Sequence, residues 1–192
     1  MSRTRRWSLT IAALLMSAAA HADRYRIDPV HTQVLFFVDH LGYSKSEGEF
    51  RQFEGKFTFD PAQWADASVE LRVHTASIDM GDAEWEKHMR SKDFFAAEAF
   101  PEMTFRSREV KQFSERQGRI YGDLTLLGVT QPVVIDVTFN KAAVHPKTGK
   151  HVAGFSGKTS LRRSDFGMNY GLPFIGDEVE IRLEVEGIRE DS

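Results

Sequence analysis

Cysteine is absent from this chain of 192 residues, so no disulfide staples it and no thiolate can hold a metal. Whatever fold it adopts must be held by its core. Long apolar runs are scarce too. The stretch from Trp7 to Ala20 falls short of the ~20 residues that span a bilayer. It follows a basic start (Arg3, Arg5, Arg6) and precedes Ala20-His21-Ala22, which is the layout of a secretory signal peptide cut after Ala22. The expectation is therefore a cleaved signal over residues 1–22 and one exported domain over residues 23–192. Thr4-Arg5-Arg6 resembles a twin-arginine start, but Ser8 stands where that signal carries phenylalanine, which favours the general secretory route. Without a cysteine at the cut site there is no lipid attachment, and a basic signal of this kind points to a bacterial periplasm.

A basic excess is missing as well. Without the three signal arginines, Lys+Arg falls from 25 to 22 against 28 acids, a formal charge of −6. Such a balance argues against nucleic acid as a partner, because that surface calls for a basic face. Catalytic motifs are also lacking: there is no G-x-S-x-G elbow, P-loop or H-E-x-x-H.

What the chain does contain is alternation. Val133, Ile135, Val137 and Phe139 face one way, with Val134, Asp136, Thr138 and Asn140 opposite. Val179 to Glu186, Val69 to His74 and Phe53 to Phe59 repeat the pattern. These are half-buried antiparallel strands, one face apolar and one wet. The stretch from Val30 to Val38 is apolar on both faces and predicts something packed outside it. Asp60-Pro61, Arg116-Gln117-Gly118, Gly128 and Pro146-Lys147-Thr148-Gly149 mark the turns. Asp82 to Ser91 does not alternate. There Trp85 and Met89 share a helical face and Asp82 can cap the first turn. The prediction is one all-β domain of about eight antiparallel strands with an inserted α-helix. It closes either into a barrel, which removes the sheet edges, or into a two-sheet sandwich.

Fifteen phenylalanines against 4 Tyr and 3 Trp suit an interior with few polar tips to satisfy. The assignable inward positions include Phe36, Val38, Phe53, Phe57, Phe59, Leu71, Met103, Phe105, Ile135, Val137, Phe139, Phe155, Ile181 and Leu183, with Phe94 beside them at the end of the helix. That wall either fills itself or encloses a hydrocarbon chain, and both readings stand at this point. Phe94 and Phe95, just before the break at Phe100-Pro101, are either a plug holding the helix or part of a lid. Arg162 and Arg163 sit where a barrel mouth would be and could meet an anionic head group. Asp28 with His31 reads first as a turn at a strand start and second as an acid–base pair. Glu84 and His88 share a helix face, but two ligands are too few for zinc. His145 and His151 flank a hairpin turn and are expected to be exposed.

Several blocks together resemble one family. Arg24 to Thr32 (RYRIDPVHT) is similar to the opening Y-x-I-D-x-x-H-S of YceI-like proteins, and His88, Met89, Ser91, Asp93, Phe94 and Phe95 match its H-L/M-x-S-x-D-F-F segment. FPEMTF, GDLTLLGVTQPV and RRSDFGMNYG match later blocks in order, with Thr32 in place of the usual serine and Leu127 where Arg or His often sits. The resemblance implies a lipocalin-like antiparallel barrel in the periplasm. Its elongated cavity would hold a polyisoprenoid or similar long-chain amphiphile, a bound isoprenoid lipid or quinone being the only implied ligand. It further implies a binding protein and not an enzyme, without cofactor, metal or membrane span, and is compatible with a homodimer. Catalysis through Asp28, His31 or His88 is the competing reading, and a ligand-free barrel docking a membrane redox partner is a third.

Overall fold

The computed structural model describes residues 22–190, so the expected signal peptide lies outside the described residues except for Ala22. Eleven strands form one antiparallel sheet: β1 (Asp23–Ile27), β2 (Gln33–His40), β3 (Ser44–Phe50), β4 (Phe53–Phe59), β5 (Ser68–His74), β6 (Ile78–Asp79), β7 (Glu102–Gln112), β8 (Gln117–Leu126), β9 (Val129–Val144), β10 (His151–Arg162) and β11 (Ile175–Arg189). Eight of them, β1, β4, β5 and β7 to β11, pair in that order and close on themselves through β1 and β11. The fold is an all-β, eight-stranded antiparallel barrel.

The remaining three strands are continuations of staves in that ring. β2 follows β1 along the same edge of β11: Ile27 pairs with Gly187, and Gln33 with Glu184. β3 pairs with β2 and runs on into β4 across Arg51-Gln52, while β6 pairs with β3 and continues β5 across the turn at 75–77. Every stave therefore bonds to its neighbours in sequence, and the barrel is a closed meander.

The kink between β1 and β2 differs from the predicted strand start. Val30 is 80 % exposed in a turn, because the chain must step aside there to pass from one partner to the next. Bonds to the Glu186 backbone hold the step: Asp28 N–H donates to the Glu186 carbonyl (2.8 Å), and the Thr32 side-chain Oγ1 accepts from Glu186 N–H (3.1 Å). Asp28 Oδ2 meets His31 Nδ1 at 2.8 Å. The predicted cover over the outer face of β2 is present on Phe37, where the Arg182 guanidinium lies 4.6 Å from the ring.

The single α-helix among the described residues, α1 (Ala83–Met89), begins at Asp82, whose side chain accepts from Trp85 N–H at 2.9 Å. Met89 is buried and Trp85 half-exposed. The chain then curls back, with Phe95 N–H on the Met89 carbonyl and Ala97 N–H on that of Arg90. Thr75, fully buried at the end of β5, fastens this loop by donating its hydroxyl to the Phe100 carbonyl at 2.7 Å.

Inside the closure, the Tyr25 and Phe57 rings stack at 4.9 Å and Phe57 meets Phe155 edge-on at 5.5 Å. Burial, reinforced by Asp23, pushes the Tyr25 hydroxyl up to about 12, and that hydroxyl lies 3.3 Å from Nδ1 of His151, which is half-buried and not exposed as predicted. Gly187 makes room for this stack. A Cβ there would lie 2.3 Å from Phe57 Cε1 and 3.0 Å from Tyr25 Cβ, so the stacked pair would have to shift.

Gly187→Ala is accordingly expected to cost ~1–3 kcal/mol, as overpacking does, seen as a lower midpoint in urea; an unchanged midpoint would contradict the packing argument. The seam also has a pH signature. Burial raises the Asp28 carboxyl, but bonds from His31 and the Val30 N–H outweigh it and leave it below its ordinary value. The bond to Asp28, with the Asp28 and Glu186 charges, raises His31. The His31 contribution is complete below its unfolded value and is lost as pH rises through its folded one. The Asp28 contribution is complete above its unfolded value and is lost as pH falls through its folded one. The pair is thus strongest between about pH 4 and 6.5. Thermal melts of wild type and His31→Gln should differ in that window and converge at alkaline pH; a gap that widens with pH would refute the latch.

Candidate functional site

Alternation along every stave sends one row of side chains inward, and in a ring of this size those rows either fill the middle or leave room for one small ligand. Here they leave two cavities. The larger, about 180 Å³, is walled by Ile27, Leu71, Phe105, Ile135, Leu183 and their neighbours. The smaller, about 90 Å³, lies toward α1 and is walled by Phe36, Phe50, Met89, Phe94, Phe95 and Met168 among others. Val34, Met103, Leu124 and Ile181 border both and form the shared boundary, here called the neck, between them.

Both ends of this bore carry aromatic side chains. At one end Trp64, 2 % exposed, meets Phe59 edge-on at 5.4 Å. At the other, Phe95 packs edge-on against Phe50 (5.3 Å) and Phe36 (6.4 Å), which makes it the plug under the helix. Phe94 is equally buried, but its ring faces His88 (5.0 Å) and Tyr170 (5.2 Å). Both phenylalanines also border the smaller cavity, so the plug is part of the wall.

Of the residues predicted to face inward, Phe57, Phe59, Leu71, Phe105, Ile135, Val137, Phe155 and Leu183 line the larger cavity. Phe36, Val38 and Phe94 line the smaller, and Met103 and Ile181 line both. Phe53 and Phe139 join the apolar core but border neither cavity: Phe139 is spent on Phe59 and Phe155, at 5.0 and 5.5 Å. The two arginines part company. Arg162 points outward and pairs with Asp165 at 2.9 Å, whereas Arg163 is buried in the interior, 3 % exposed, against the wall of the smaller cavity. Neither sits free at a mouth, because the short turn after β10 rolls one side chain outward and the other inward.

Trp64, Val110, Ile120 and Leu124 also line the bore and escaped the sequence reading. Val110 lies beyond the register shift between Ser107 and Glu109, which breaks period two. Trp64 lies in a 3-10 turn with no period at all.

The side chains offered for catalysis do not converge. Asp28 and His31 gather with Glu186, their donor atoms within 4.8 Å, at the kink between β1 and β2. His88 instead pairs with Asp93 at 3.3 Å beside α1. Among the described residues no helix is long and apolar enough to cross a membrane.

In chemical terms the lining of both cavities is apolar and compatible with hydrocarbon. An apolar cavity of roughly 150 Å³ stays free of water and takes up a benzene-sized group, whereas pockets for compact drug-sized ligands run to roughly 300–1,000 Å³. Each cavity alone therefore suits a piece of chain, and a longer chain must run through the neck. Met103 gives the neck a flexible unbranched member.

Comparison with known proteins agrees with this architecture. The model of the YceI-like domain matches residues 25–187. A UPF0312 protein of Vibrio cholerae is 41 % identical over 180 residues, covering 93 % of this chain and 94 % of that one. Among solved structures, BcnA of Burkholderia cenocepacia aligns with a TM-score of 0.76 at 26 % identity, over 83 % of this chain and 98 % of its own. A polyisoprenoid binding domain from Saccharophagus degradans shares the fold, with a TM-score of 0.67 at 10 % identity, over 88 % of this chain and 100 % of its own. Barrel, inserted helix and sequence blocks thus lead to one assignment: the chain belongs to the YceI-like domain family.

Proposed function

We propose that this protein is a periplasmic binding or carrier protein for a polyisoprenoid or similar long-chain amphiphilic lipid held in the bore. The observation that carries the reading is the pair of apolar cavities that share one boundary at Val34, Met103, Leu124 and Ile181, an end-to-end arrangement suited to a chain. The fold shared with a polyisoprenoid binding domain supports it, as does the signal-like N-terminus. Each buried methylene contributes ~0.8 kcal/mol, so a few isoprene units supply enough to offset the cost of ordering the chain. The tail thereby sets affinity. A bore with so few polar partners gives a small hydrophilic metabolite nothing to recognise. Catalysis gains no support from the geometry, since His31 and His88 stand at separate places and neither lines a cavity.

Organic extraction of protein purified from its native envelope, followed by mass spectrometry, is expected to release a long-chain lipid in near-stoichiometric amount. Met103→Trp, which obstructs the neck, should lower that occupancy by about tenfold while leaving the β-rich circular dichroism intact. Finding no lipid in repeated preparations, together with no uptake of added polyprenyl lipid or isoprenoid quinone, would overturn the carrier reading.

A further inference from the structure

Apolar side chains that face water gather at the α1 end of the barrel. Tyr43 is 89 % exposed, Phe174 70 %, Leu41 47 %, Tyr170 46 % and Trp85 36 %. They come from three segments that touch one another. The turn between β2 and β3 meets the loop before β11 through Leu41 N–H, which donates to the Phe174 carbonyl at 3.0 Å. It meets α1 through the His40 and Trp85 rings, 6.4 Å apart. The loop before β11 reaches α1 as well, with the Tyr170 ring 5.2 Å from that of His88. The hairpins at the Trp64 end expose less: Phe113 and Val144 stand out there, and the Arg119 guanidinium covers the Phe113 ring at 5.3 Å. Leu41 is the costly member of the cluster. Its φ is 59° and that of Gly42 is 74°, with Tyr43 N–H on the His40 carbonyl at 3.0 Å. Asn-Gly adopts such a turn readily, whereas a large side chain in the left-handed region is strained. A turn that holds leucine there gives up stability for a protruding apolar tip.

The exposed cluster is continuous with the smaller cavity. Tyr170 packs on Phe94 at 5.2 Å, and Phe94, Met168 and Ile175 line that cavity. Resting on the carrier reading above, we propose that this end docks on the surface of a phospholipid bilayer, where the bound chain enters and leaves past Tyr170 and Phe94. Tryptophan, tyrosine and phenylalanine are the side chains that settle between head groups and acyl chains, an apolar body on one side and water on the other. A second copy of this chain is the poorer occupant. From their exposed fractions the five side chains present roughly 500 Å², short of the ~800 Å² that each partner of a stable dimer buries. Basic side chains nearby are already committed to acids: Lys45 to Glu180, Lys87 to Glu84, His88 to Asp93 and Arg90 to Glu86, at 3.2 to 3.6 Å. Insertion of apolar tips, and not attraction to anionic head groups, therefore supplies the affinity.

The test uses vesicles of phosphatidylcholine, alone and with added phosphatidylglycerol. Of the described tryptophans Trp64 is buried and Trp85 half-exposed, so quenching by nitroxide-labelled lipid reports Trp85. Wild type is expected to sediment with both kinds of vesicle and to show that quenching, with affinity changed less than about threefold by high salt. Tyr43→Ser combined with Phe174→Ser should lower vesicle affinity at least about tenfold and slow uptake of polyprenyl lipid from vesicles by a similar factor. The melting midpoint should stay in place. Leu41→Asn should weaken vesicle binding while raising the midpoint, opposite movements that a merely structural leucine would not produce. Failure of wild type to bind either vesicle, in protein that extraction shows to carry lipid, would overturn the inference and leave the carrier reading intact. Binding that high salt abolishes, or that the double variant retains, would overturn it by moving the contact to charged groups or another face. Uptake by the double variant at the wild-type rate would overturn the entry route. A dimer that the double variant dissociates, in place of vesicle binding, would assign the cluster to a second copy and overturn the proposal.

Discussion

One edge of β11 has to satisfy two partners. Its C-terminal part bonds β1 and its N-terminal part bonds β2, and the ring closes only because the chain steps from one to the other at Asp28–Thr32. Without that pairing the meander would be an open sheet with two bare edges, its apolar face exposed to water. The small set of bonds between Asp28, Thr32 and the Glu186 backbone therefore matters beyond its number. It keeps the interior closed, and everything else in the molecule follows from a closed interior.

A closed ring still has two open ends, and bulky side chains deal with both. Trp64 blocks one from a turn, while Phe94 and Phe95 block the other from the loop that follows α1. That loop is fixed by backbone bonds and by buried Thr75. Between the plugs the wall is mostly aliphatic and does not fill its own volume, so the space remains dry and divides at Val34, Met103, Leu124 and Ile181. Against this background Arg163 is conspicuous. Its three carbonyl bonds order the chain from Met168 to Gly176, and its side chain backs the wall of the smaller cavity.

Period-two alternation made most of the wall legible in the sequence. Val133 to Phe139 and Val179 to Val185 announced their faces, and Asp82 announced the start of the helix. What alternation cannot show is where a stave kinks. β1 and β2 are one stave broken at Asp28-Pro29, and a break resets the phase of the pattern on which the reading depends. Nor does alternation reach residues held by turns: Trp64 has no neighbours two apart that share its face. The burial of Arg163 was hidden for a different reason. A charged side chain in a polar turn reads as solvated, and only the carbonyls of a loop that doubles back to it make its burial affordable. The resemblance to YceI-like proteins supplied the barrel over the sandwich, which strand counting alone left open.

The central claim is that both cavities serve one chain. A crystal structure of the protein taken directly from its native envelope, without detergent exchange, tests this most directly. The account predicts one unbroken tube of electron density running from the wall at Arg163, between Val34, Met103, Leu124 and Ile181, into the space below Trp64. Ordered water along the bore, or two cavities separated by a closed neck with nothing in either, would contradict it.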